Sequence, residues 1–146
     1  MSAYTPIYRC TLVRDGSIPT RPQLTCTAKA REVCNNFLAD SPCEQFVAVL
    51  LDTKHRVIGL CPITVGTLDA SLVHPREVFR PAMLHNASAV ILAHNHPSGE
   101  LTPSREDKEV YDRLIHASTM LGIALLDFII VDGQGNTVSL REGGAS

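Results

Sequence analysis

The amino-acid sequence predicts an α/β fold, a mixed β-sheet covered by helices. Three observations carry this. Strand-length apolar runs are intermixed with longer stretches of helical periodicity. Two adjacent apolar runs, 44–52 and 57–65, are separated only by a short polar turn and read as a central hairpin. The chain has 146 residues, 45% apolar with few aromatics, which suits one domain with an aliphatic core. Strands and helices that each carry an apolar side bury it by layering helix on sheet.

Each element has its own justification. Residues 1–26 are broken by Pro6, Gly16, Pro19 and Pro22 and form an N-terminal arm packed on the domain, with a possible strand at Ile7–Val13. From Thr27, taken as N-cap, Ala28, Val33, Phe37 and Leu38 recur at helical spacing until Asp40-Ser41-Pro42 ends the helix. Glu44 to Asp52 is a buried strand, the turn lies around Thr53-Lys54-His55, and Val57 to Val65 is its partner. Pro75 begins a helix over 75–86, with Val78, Phe79, Met83 and Leu84 on its apolar side. A short strand follows at Ala89–Ala93, then a loop at His94–Pro103. A long helix runs from about Ser104 to Leu121 and stops at Gly122. Ile123–Val131 and Thr137–Leu140 are strands around a turn at 132–136, and Gly143–Ser146 is a loose tail.

Charge and cysteine usage narrow the function classes. The net charge of −2 argues against a chain that works mainly through phosphate contacts. No segment is long and apolar enough to span a bilayer, and residues 1–6 lack the charged and apolar regions of a signal peptide. Cys10, Cys26, Cys34, Cys43 and Cys61 are scattered and odd in number. They read as buried reduced thiols of a cytoplasmic protein, with Cys43 or Cys61 able to approach the functional site.

Chemistry concentrates in residues 94–107. His94 and His96 end the apolar run Ala89-Val90-Ile91-Leu92-Ala93, and Ser104 and Asp107 follow at a helix start. Two imidazoles and a carboxylate are three protein ligands with room for a water, the pattern of a catalytic zinc site. Residues two apart in extended chain point the same way, so both histidines reach one ion. Gly99 and Pro103 let the loop turn back toward Asp107. Alone, His-x-His is equally a surface pair, and Ser104-x-x-Asp107 alone reads first as a capping box with aspartate for the usual glutamate. The two readings of the serine and aspartate are compatible, because a cap fixes where Asp107 points. A hydrolytic site also needs a proton acceptor. Glu44 stands out at the mouth of an apolar strand, but periodicity does not choose it over Glu32 or Glu77.

Glu44, then His94-x-His96-Pro97, then Ser104-x-x-Asp107 resembles the signature of JAMM (MPN+) metalloproteases. The wording His94-Asn95-His96-Pro97-Ser98-Gly99 with Pro103-Ser104 is similar to the RadC-like branch, once described as DNA-repair proteins. Matching stretches at 44–52, 73–79 and Leu126-Asp127 extend the resemblance over roughly residues 28 to 141, so residues 27–146 read as a RadC-like MPN domain. The resemblance implies a deaminase-like α-β-α sandwich with one zinc held by His94, His96 and Asp107. It also implies that Glu44 polarises the water and that Ser104 supports the tetrahedral oxyanion. The implied reaction is hydrolysis of a peptide or isopeptide amide. Two departures stand out. Phe128 occupies the place where RadC-type domains usually carry histidine, and the helix-hairpin-helix region of longer RadC proteins has no counterpart in residues 1–26.

The leading expectation is a zinc metallopeptidase or isopeptidase. The alternatives are a DNA-associated repair accessory factor or nuclease, and a non-catalytic binding module. His-Asn-His as a tripeptide is not the nuclease motif, whose residues are spread over a ββα unit. A zinc nucleobase deaminase is disfavoured by the absence of its His-x-Glu and Pro-Cys-x-x-Cys signature. His74 and Arg76 are expected to hold the loop before their helix. His55, His85 and His116 are expected at the surface, and Asp127 is expected to bond loop backbone near the site.

Overall fold

Residues 4–9, 13–14, 16, 21–66 and 73–144 are described by a computed structural model. Helix α1 spans Thr27–Leu38 and buries Ala30, Cys34 and Leu38, four residues apart on one face. Its N-cap is Cys26 in extended conformation, with no side-chain cap bond. Thr27 is thus the first helical residue, not the cap, and its hydroxyl accepts from Arg141 instead.

Strands β1 (Gln45–Leu51) and β2 (Val57–Val65) form the expected antiparallel hairpin. Asp52 closes its turn by accepting from the Lys54 and Arg56 amides. Helix α2 (Pro75–Leu84) ends two residues short of the expected boundary, where His85 and Asn86 turn the chain. Strand β3 spans Ala89–Asn95, helix α3 Arg105–Leu121, strand β4 Ala124–Val131 and strand β5 Thr137–Ser139. The sheet order is β2-β1-β3-β4-β5. Only the β3–β4 pair is parallel, joined across α3, so the sheet is mixed.

Two cores explain why β1 and β3 read as unbroken apolar runs. Phe46, Ala48, Leu50, Val90 and Leu92 pack with Val78, Phe79, Val110 and Leu114 of α2 and α3. The alternate residues Val47, Val49, Leu51, Ile91 and Ala93 pack with Ala30, Cys34 and Leu38 of α1. Strands covered on both faces have no polar side to alternate with. The architecture is an α-β-α sandwich, with α1 on one face and α2 and α3 on the other.

Both ends differ from expectation. Tyr4, Ile7, Tyr8 and Val13 are largely exposed, residues 4–9 have no regular structure, and residues 10–12 of the expected strand lie outside the described residues. Docking begins at Pro22–Leu24, which bonds to His55 and Val57 beside the hairpin turn. At the other end Leu140–Gly144 forms a π-helical turn where a loose tail was expected from residue 143; residues 145–146 are outside the description.

Asp127 accounts for that turn. It is buried, accepts from the Ser139 hydroxyl (2.6 Å) and the Phe128 amide (2.7 Å), and also from the Arg141 amide. It therefore serves the C-terminal turn on the α1 side, not the histidine loop. An ion pair between Arg31 and Glu142 adds a second tie. Among the described cysteines only Cys34 is buried; burial and then the Asp127 charge push its thiol pKa up to about 12. Cys26 and Cys43 are exposed and Cys61 is half-buried, which corrects the expectation of buried thiols throughout. Among the described residues no helix is long and apolar enough to cross a membrane.

Candidate metal centre

Strand β3 runs two residues past its apolar stretch because polar His94 and Asn95 still pair with neighbours. His94 stands opposite Phe46 of β1 and Ile130 of β4, and Asn95 beside Val131. The His96 amide then donates to the Val131 carbonyl (2.8 Å), holding the chain extended one step further. His94 and His96 consequently share the α3 side of the sheet, with ring centroids 4.8 Å apart in an edge arrangement.

Asp107 arrives from the first turn of α3. Ser104 is the N-cap: its hydroxyl accepts from the Asp107 amide (3.0 Å), and Asp107 Oδ2 accepts from the Ser104 amide (2.8 Å). The capping box and the ligand geometry are one construction. It buries Asp107 completely and aims its carboxylate between the histidines. His94 Nδ1–H donates to Asp107 Oδ1 at 2.8 Å, and His96 Nε2 lies 3.2 Å from Asp107 Oδ2. Burial alone would raise the Asp107 pKa, but the bonds from His94, His96 and the Ser104 amide overcome it and hold the carboxyl far below the usual range.

The proton inventory of this cluster is short by one positive charge. His96 Nδ1–H donates to the Glu100 carbonyl (2.6 Å), so in the neutral ring Nε2 is a lone pair facing a carboxylate oxygen. That contact is tolerable only with a cation between or on the two groups. A proton is one solution, and the Asp107 bond accordingly raises the His96 pKa above its ordinary value, against the effect of burial. A metal ion is the other. His94 poses the same problem: with its proton on Nδ1, the buried Nε2 is a lone pair with no hydrogen-bond donor. Two imidazole lone pairs and a carboxylate, with ligand atoms within 4.8 Å of one another, fit a divalent ion.

Glu44 lies at the mouth of β1, one-third exposed, with Oε2 3.7 Å from His94 Nε2. Of the three glutamates that periodicity left open, Glu44 is the one that strand pairing brings beside the histidines. Glu77 sits on α2, paired with Arg76 and Arg80, and Glu32 is exposed on α1 across the sheet. Ser104 is half-buried, and because its oxygen accepts the Asp107 amide, its own proton remains to donate. A polar cleft of about 250 Å³ adjoins His96, lined among others by Leu38, Ser41, Asn95, Pro97 and Gln134.

Other expectations change place. His74 is exposed and makes no cap bond; Arg113 holds the segment before α2, donating to the Val73 carbonyl (2.8 Å). His55, His85 and His116 are exposed as expected. Phe128 is fully buried, edge-on to Phe46 at 5.6 Å, and Phe46 in turn is edge-on to His94 at 6.4 Å. The Cys43 carbonyl, not its thiol, joins the site by accepting from Asn95. Asn95 is the residue that sequence reasoning missed: as the spacer between two histidines it carries no signal of its own until the chain opposite is known.

A family model for the RadC-like JAB domain matches residues 24–145. A UPF0758 protein of Rubrobacter xylanophilus is 48% identical over 126 residues, covering 86% of this chain and 55% of that protein. One of Symbiobacterium thermophilum is 47% identical over 133 residues, 90% of this chain and 56% of its own length. One of Aeromonas hydrophila is 46% identical over 125 residues, 86% and 53% respectively. The chain thus spans about half the length of the curated relatives it matches. With the family model matching residues 24–145 and relatives nearly half identical over most of the chain, the chain belongs to the RadC-like JAB domain family.

Proposed function

We propose that this domain is a zinc-dependent hydrolase of a peptide or isopeptide amide bond. One observation carries the reading: His94, His96 and Asp107 converge around the buried His94 Nε2, which has no hydrogen-bond partner, while the Glu44 carboxylate stands 3.7 Å from that nitrogen. Zinc held by His94, His96 and Asp107 would supply a Lewis acid that polarises a carbonyl and brings the pKa of water to about 7. Glu44 takes the proton from the attacking water and returns it to the leaving amine. Ser104 donates a hydrogen bond from its hydroxyl to the oxygen that gains charge in the transition state. Asp107, fixed by the cap, orients the His94 imidazole through Oδ1, while the Glu100 carbonyl orients His96 through its Nδ1–H. Free thiols at Cys26, Cys34 and Cys43 favour a reducing, cytoplasmic setting. The net charge of −2 and the carboxylates at the site work against a nucleic-acid substrate.

The test is zinc content together with Glu44→Gln. Purified protein is expected to carry one zinc, and the variant to keep it while losing about 10²- to 10⁴-fold in amide cleavage. Metal-free protein under zinc-replete conditions, or a variant as active as wild type, overturns the reading.

A further inference from the structure

We propose that Asn95 is the positioning residue for Glu44. The side chain of Asn95 is buried at the end of β3, on the sheet face opposite the histidines. It reaches across to the chain on both sides of Glu44. Its Oδ1 accepts from the Gln45 amide at 2.6 Å, and its Nδ2 donates to the Cys43 carbonyl at 3.0 Å. Both partners are backbone groups of fixed polarity, so the orientation of the amide is dictated rather than assigned. The Cys43 carbonyl also accepts from the Ser41 hydroxyl (2.7 Å), and the Glu44 carbonyl accepts from the Gly66 amide (2.7 Å). The residue before Glu44, Glu44 itself and the residue after are therefore all held.

This clasp matters because of where Glu44 stands. Regular β1–β3 pairing runs from Leu51 opposite Ala89 to Phe46 opposite His94. Beyond that point no ladder would fix the β1 chain against β3, and a proton acceptor displaced by about 1 Å loses on the order of 10²-fold in rate. Asn95 extends the register by one step with a side chain in place of a backbone group. The amide side chain offers a donor and an acceptor together at this reach, one for each of the two backbone groups. The same spacer residue that leaves His94 and His96 on one side of the sheet thereby ties the metal strand to the strand bearing the acid–base group. Asn95 touches neither metal nor substrate in this role.

The inference rests on Glu44 as proton acceptor, so the experiment separates the two. Amide hydrogen exchange of Gln45 is measured in wild type, Asn95→Ala and Asn95→Asp, with zinc affinity by chelator competition. Wild-type Gln45 is expected to be protected. Asn95→Asp, which keeps the acceptor, retains that protection, and Asn95→Ala exchanges about fivefold faster or more. Zinc affinity of Asn95→Ala stays within about threefold of wild type, since no ligand is removed. On an amide substrate, Asn95→Ala lowers kcat by about 10- to 100-fold with little change in KM, and adds nothing to the loss in a Glu44→Gln background. An unprotected wild-type Gln45 amide overturns the clasp even if Asn95→Ala fails to fold. Additive losses in the double variant overturn its action through Glu44. A fully active Glu44→Gln sinks the proton-acceptor reading instead, whatever Gln45 exchange shows.

Discussion

At the scale of single residues, the roles proposed for Ser104 and Asp107 in the site can be separated by substitution from the cap they form. Ser104→Ala removes the cap acceptor and is expected to cost about 1 kcal/mol in urea denaturation, whereas Ser104→Thr keeps the oxygen and most of the stability. Asp107→Asn retains an oxygen for the Ser104 amide but loses the charge that the two imidazoles face. It is expected to fold with α3 intact by circular dichroism and to lose zinc in chelator competition. Retention of full zinc affinity would remove Asp107 from the ligand set. The sequence showed His94, His96, Ser104 and Asp107 together because cap spacing and ligand spacing are both local. Glu44 was legible only through the resemblance, since its proximity to His94 is created by β1–β3 pairing fifty positions away. Asn95 was not legible at all, because an amide acquires a role only from the backbone groups it meets.

At the scale of elements, the turn between β4 and β5 borders the cleft and has its own pH dependence. Asp132 accepts from the Asn136 side chain (2.8 Å) and from the Gln134 amide (2.7 Å), and these bonds hold its carboxyl below the ordinary value. A depressed folded pKa means the stabilisation is fully present above the unfolded value of about 3.9 and is lost as pH falls through the folded one. The stability difference between wild type and Asp132→Asn is therefore expected to open above about pH 4 and close in stronger acid, measured by urea denaturation across pH. Gly133 in the same turn has φ +79°, and a Cβ there would stand 3.1 Å from the Ala39 carbonyl. Gly133→Ala is expected to cost about 1–3 kcal/mol and to push the turn off the end of α1. Element boundaries were legible where hydropathy and hydrogen bonding stop together: Val57–Val65 is the same in both readings. They diverge at β3, which hydropathy ends at Ala93 but pairing carries to Asn95, and at α1, where Thr27 bonds Arg141 instead of capping.

For the whole molecule, strand order was the feature least visible in the chain, because β3 inserts between β1 and β4 and nothing local specifies it. That insertion places the histidines at the centre of the sheet, backed by Phe46 and Phe128, instead of at an edge. Phe128→His, which introduces the imidazole that the family resemblance leads one to expect at this position, would enter a fully buried apolar layer. A histidine kept neutral by burial has a lowered folded pKa. The variant is expected to lose further stability as pH falls through about 6.5, where the unfolded chain binds the proton more readily. Because His94 belongs to the central strand, His96 follows directly on its end and Asp107 belongs to α3, an ion on the three donors ties sheet to helix and should report globally. An ion that binds only the folded chain stabilises by about 4 kcal/mol at a free concentration of about 1,000 times Kd. For a domain of this length that is a rise in Tm of roughly 10 °C. Calorimetry with zinc against a chelator is expected to show it for wild type and not for Asp107→Asn. Equal Tm values for wild type in the two conditions would mean that no ion joins β3 to α3, and the three donors would then be a proton-sharing cap alone.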